Sequence, residues 1–170
     1  NQLRTVFGLY PVGGKFDADD GTLASFSDGL QGAGIHPLMQ SSWVKFMMAE
    51  AALTLGTAGD PATLLQEAVE ESLDKVINFG PGAVNADFAA TTDDISAYVT
   101  EVLDRYTAAV TDDERLNVIV TEFYISLFGN GVEAYNAYRR TGKPEGMQLH
   151  LSNQPGSFIR SFAYPNNSIN

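Results

Sequence analysis

The chain has 170 residues, of which 44% are hydrophobic, and it sets 10 Lys+Arg against 21 Asp+Glu for a net charge of −11 with both histidines neutral. That length is one domain or a piece of one, with enough apolar residues to fill a core. Its acidic field repels phosphate backbones, and no basic cluster larger than Arg139-Arg140 offsets it, so nucleic acid is not an expected partner.

With no cysteine, disulfides, thiol catalysis and Cys-ligated zinc are excluded. No apolar run approaches the roughly 18 to 20 residues that span a bilayer. Asn1 opens without the basic flank and apolar stretch of a signal peptide. Residues 3–10 read as extended chain with nothing before them to pair with, which suggests a fragment or a processed product.

Residues 1–38 are dense in glycine and hold Pro11 and Pro37, a composition that favours irregular structure. From Ser41 the period changes. Trp43, Phe46, Met47 and Ala51 recur at near-helical spacing and predict a first helix over 41–55, stopped by Gly56. Asp60 is a cap before Pro61 at the first helical position, and Leu65, Val69, Leu73 and Val76 give the stripe of a second helix over 61–78. A connection as short as 56–60 makes the pair an antiparallel hairpin.

After a loop over 81–90, Thr92 with Asp93 and Asp94 opens a third helix over 92–110, with Ile95, Tyr98, Val99, Val102, Leu103, Tyr106 and Val110 on one face. Thr111 and Glu114 fit a capping box, and Leu116, Ile119, Val120, Phe123 and Leu127 mark a fourth helix over 112–128. A short fifth helix over 131–140 closes at Thr141-Gly142. The expectation is an all-α fold of tetratricopeptide-like antiparallel hairpins with long irregular loops: 1–38 irregular, 39–142 helical, 143–170 a C-terminal loop segment. No repeat of about 34 residues carries that motif's Trp, Gly and Tyr positions.

Paired carboxylates could serve as acid and base in glycoside cleavage, and Asp19-Asp20, Glu70-Glu71, Asp93-Asp94 and Asp112-Asp113 are such pairs. The last two sit in first helical turns, where acidic residues favour the dipole, and Glu70-Glu71 lies on a polar face. The acidic turn over 17–21 is one residue short of a calcium loop and lacks its distal Glu. His36 and His150 cannot form a close ligand pair, and no phosphate loop or nucleophile elbow is present. The expectation is no enzyme, no metal and no cofactor.

Aromatic rings can stack on the C–H face of a sugar. Trp43 lies on the first apolar stripe and reads as core. Tyr10 and Phe16 stand in the glycine-rich N-terminal stretch, where nothing demands burial, and are the candidate ligand-binding residues.

The stretch Leu127-Phe128-Gly129-Asn130-Gly131-Val132-Glu133-Ala134-Tyr135, continuing through Asn136-Ala137-Tyr138-Arg139-Arg140-Thr141-Gly142-Lys143-Pro144, resembles the C-terminal signature of the SusD/RagB family. Two further stretches agree in order. Ala49-Glu50-Ala51 in the Trp43 helix is similar to a helix of that family, and Arg160, Tyr164-Pro165 and Asn170 are similar to its ending. The resemblance runs from about Gly34 to the end. Departures are Phe123-Tyr124 and Tyr135 where the family often has tryptophan, and Ser168 where it often has an acidic residue.

The resemblance implies a surface glycan-binding lipoprotein of a Bacteroidetes nutrient-uptake system, held at the outer membrane by an N-terminal lipid that this chain lacks. It implies binding of oligosaccharide or polysaccharide without catalysis, and docking on a SusC-like TonB-dependent transporter. The residues read by themselves leave two alternatives, a helical-repeat scaffold for protein partners and a glycosidase with two carboxyls roughly 5 to 10 Å apart.

Glu50 falls one heptad after Trp43, close to the first apolar stripe, where a lone carboxylate is costly. Arg139 or Arg140, at the end of the fifth helix, is the expected partner, since a guanidinium can satisfy a carboxylate with two parallel hydrogen bonds. Breaking such a pair, if buried, costs about 3 to 5 kcal/mol.

Overall fold

The computed structural model describes residues 37–78 and 90–148. Tyr10, Phe16, the acidic turn over 17–21, both histidines, and Arg160 with Tyr164-Pro165 lie outside the described residues. Within them the chain forms five helices and no strand: α1 (Ser41–Leu55), α2 (Pro61–Asn78), α3 (Thr92–Ala108), α4 (Asp112–Ser126) and α5 (Gly131–Thr141).

Each boundary has a local cause. α1 stops at Gly56, whose φ of 66° lets its N–H reach back to the carbonyl of Ala51. The Thr63 N–H donates to Asp60 Oδ2 at 2.8 Å, which caps α2. Capping boxes open the next two helices: the Asp94 N–H donates to Thr91 Oγ1 at 3.1 Å and the Thr91 N–H to Asp94 Oδ2 at 2.9 Å, while Thr111 and Glu114 make the same exchange before α4. Asn130 caps α5 by accepting from the Glu133 N–H at 3.1 Å.

The helices depart from the sequence pattern at their ends. α3 begins at the expected Thr92, capped by Thr91. It ends at Ala108, so Val110 leaves its stripe and is 82% exposed. Its N–H donates instead to Glu114 Oε2 at 2.7 Å, which ties the connection to the start of α4. α4 ends at Ser126, yet Leu127 in the following turn is still buried.

α1 packs on α2 and α4, α2 on α3 and α4, and α3 on α4, whereas α5 runs beside α4 and reaches α1 through the Arg140 side chain. Lys45 meets Glu67 at 3.1 Å and Glu71 at 3.2 Å, and Ser41 donates to Glu71, so early α1 faces late α2 as an antiparallel hairpin requires. At the centre Trp43 is fully buried and its Nε1–H donates to the Ser126 carbonyl at 3.2 Å. The rings of Phe46 and Phe123 stack at 5.6 Å between centroids, joining α1 to α4. Burying a side chain such as Phe46 contributes about 2 to 3 kcal/mol.

Candidate functional site

Polar side chains gather at four places on this framework. At the first, Arg140 on α5 places both guanidinium nitrogens on Glu50 of α1: Nη1 donates to Oε1, and Nη2 donates to Oε2 at 2.8 Å. The Glu50 side chain is 12% exposed and that of Arg140 51%. Partial burial draws the Arg140 pKa down from its usual value. Because water reaches the guanidinium, loss of the pair costs about 1 to 2 kcal/mol, less than for a fully buried one. Arg139 is exposed on the same helix. Beside the pair lies an apolar notch of about 220 Å³ formed by Met47, Ala51, Thr54 and Leu55.

At the second, Glu122 on α4 is buried and accepts from two residues of α3. Tyr98 donates its hydroxyl to Oε2 at 2.7 Å, and Arg105 Nη2 donates to Oε1 at 2.8 Å. Burial, then the Glu122 carboxylate, pushes the Tyr98 phenol up to about 12. Sequence reasoning missed this group, although the signal used for Glu50 was available: Glu122 follows Ile119 by one helical turn and so borders the α4 stripe.

At the third, the buried Lys143 donates to Asp113 at 2.7 Å and also to Glu145, and these two partners raise its pKa. The fourth is a cleft of about 380 Å³ at the start of α1, lined by Pro37, Met39, Ser41, Ser42, Glu71 and Asp74 among others. The Ser41 hydroxyl, followed by Lys45, holds the Glu71 carboxyl below its usual range.

Asp60, Glu71, Asp94 and Glu114 all shift downward, each because a hydroxyl or a backbone N–H donates to the carboxylate. Such groups are held ionised, whereas a general acid for glycoside cleavage needs a carboxyl shifted upward. Of the expected carboxylate pairs, Asp93-Asp94 and Asp112-Asp113 lie in the first turns of α3 and α4. Among the described residues no group of three His, Cys, Asp or Glu side chains is placed to hold a metal ion. Nor is any described helix long and apolar enough to cross a membrane.

Compared with known proteins, residues 34–170 match the family model described as SusD-like, the SusD and RagB outer membrane lipoproteins. No curated protein matches the chain. A solved structure described as Bacteroidetes AC2a SusD-like superposes with a TM-score of 0.62 at 24% identity, over 77% of this chain and 25% of that one. The chain therefore spans about a quarter of the length of that structure, and the likeness carries the fold.

Proposed function

Because the chain belongs to the SusD-like family of outer-membrane lipoproteins, we propose that it is part of a surface glycan-binding subunit that delivers oligosaccharide to a TonB-dependent outer-membrane transporter. The observation that carries this reading is the family match over 34–170, which covers α1 to α5 and their connections. A helical framework of this kind serves binding well, since rigid hairpins hold the loops between them in fixed relation. In this reading Tyr10 and Phe16 stack on sugar rings, the protein binds without cutting, and a lipid at the N-terminus of the mature protein anchors it at the cell surface.

The test is retardation in native gels cast with a panel of polysaccharides. At least one polysaccharide should slow the protein, and Tyr10→Ala or Phe16→Ala should weaken that effect. No retardation by any member of the panel, from protein with an intact helical spectrum, would overturn glycan binding. Release of reducing ends, lost on substituting one Asp or Glu, would overturn the non-catalytic part.

The alternative, a scaffold for protein partners, draws on a different observation. Val44, Met48 and Leu55 are exposed on α1, at helical spacing, although this helix is apolar on most of its sides.

A further inference from the structure

The signature stretch around α5 is attached to the bundle in a way unlike the other helices. Of the eleven residues of α5 only Ala137 is buried. Its backbone runs beside α4, and it meets α1 through the Arg140 side chain. Ala137 joins the core and Ala134 packs against it, and polar ties are spread along the length of the arm. At its start the Asn130 side-chain amide donates to the Pro37 carbonyl at 3.1 Å, before α1. At its end Arg140 grips Glu50 of α1 with both nitrogens. Just beyond, Lys143 reaches Asp113 at 2.7 Å, and the Glu145 N–H donates to Asn117 Oδ1 at 2.8 Å, both partners on α4.

We propose that residues 130–145 form a clasp, an arm held on the α1–α4 bundle by charge and hydrogen bonding more than by apolar burial, which opens as a unit while the bundle stays folded. The physical reason lies in how the two kinds of attachment fail. An apolar interface is lost only when its area is uncovered, so α1 to α4, which supply every helical member of the core but Ala137, open together. A charged tie with one partner in water weakens by screening or by loss of a single charge. Arg140 is half-exposed, and the Asp113 partner of Lys143 is 72% exposed, so both charged ties are open to that weakening. Opening the clasp frees Glu50 and widens access to Met47 and Ala51 in the notch that Arg140 borders. In this assignment the polar residues of the signature, Asn130, Arg140 and Lys143, act on the protein's own bundle.

The test is deuterium exchange read by mass spectrometry on the full chain, at low salt and at about 1 M NaCl. Peptides covering α5 should exchange at least about tenfold faster in Glu50→Gln than in the unaltered protein, with peptides from α2 and α3 unchanged. Raising salt on the unaltered protein should also accelerate α5 selectively, which keeps the test available if Glu50→Gln fails to fold. Uniform acceleration of all helices, or α5 exchange that neither salt nor the variant moves, would overturn the proposal. None of these readouts involves glycan, so the clasp can fail while the proposed function stands, and the reverse.

Discussion

The Tyr98 hydroxyl on α3 donates to Glu122 on α4 at 2.7 Å, and Arg105 on α3 fills the other carboxylate oxygen at 2.8 Å, so one buried carboxylate joins both helices of the second hairpin. The phenol ionises at about 12 in the fold against an ordinary 10.0. A folded-state pKa raised above the unfolded one gives stability that is fully present below about pH 10 and is lost as pH rises through about 12. A tyrosinate absorbance titration should therefore show a late phase that moves down in Glu122→Gln. Glu122→Ala, which leaves Tyr98 and Arg105 without their acceptor, should cost about 2 to 3 kcal/mol in urea unfolding, reduced from the fully buried case because Arg105 can turn to water. An unchanged midpoint would count against the network.

Trp43 is the only tryptophan in the chain and is fully buried. Its fluorescence should resist acrylamide quenching in the native protein and change sharply on unfolding. Trp43→Phe loses the hydrogen bond to the Ser126 carbonyl and leaves space in the core, and should cost about 2 to 3 kcal/mol without altering retardation by any polysaccharide. A Trp43→Phe variant of native stability that no longer binds would contradict a purely structural role.

The capping boxes make a prediction with a sign in pH. Thr111→Ala should destabilise by about 1 kcal/mol, and Thr91→Ala by a similar amount. The Glu114 carboxyl is held below its usual range chiefly by the Thr111 backbone N–H, and Asp94 by the Thr91 hydroxyl. Depressed carboxylates stabilise the fold above their ordinary pKa and lose that contribution as pH falls through the lower folded-state value. Helicity followed by circular dichroism during acid titration should fall more gently in the Thr91→Ala variant, where the hydroxyl that chiefly depresses Asp94 is gone.

Two glycines should respond oppositely to alanine. Gly59 has a φ of 113°, and an added Cβ would lie 2.8 Å from Leu64 Cδ1, so Gly59→Ala should destabilise by about 1 kcal/mol or more. Gly131 opens α5 with nothing within 4 Å of an added Cβ, and Gly131→Ala should gain about 0.5 kcal/mol. Thermal melts of the two variants check both directions.

The helices were legible in the sequence because their stripes and their caps agree. Trp43, Phe46, Leu65, Val69 and Val99 repeat at helical spacing and are buried, while Asp60, Gly56 and Thr111 carry boundary chemistry that acts within a few residues. Errors fell where tertiary structure overrides the period. Val76 continues the α2 stripe in sequence but is 47% exposed. Val110 continues the α3 stripe but lies in the connection to α4, its N–H held by the Glu114 side chain. Glu50 and Arg140 could be paired because a carboxylate beside an apolar stripe demands a cation. The extent of burial could not be read, because it depends on how closely α5 approaches the bundle. Glu122 escaped because its partners, Tyr98 and Arg105, lie on a different helix and read there as ordinary stripe and surface residues.

The bond from Asn130 to the Pro37 carbonyl joins residues 93 positions apart, so the whole run of α1 to α4 leaves one spot and returns to it. Closing so long a ring costs chain entropy that grows with its length, and that cost shrinks only after the hairpins have folded and shortened the path. Chain entropy therefore favours making this joint late on the way to the native state, after the hairpins. Asn130→Ala removes this bond together with the α5 cap, and in stopped-flow kinetics should show itself as faster unfolding at a nearly unchanged folding rate. A contact made this late bears on how long the closed arrangement lasts more than on how quickly the bundle forms.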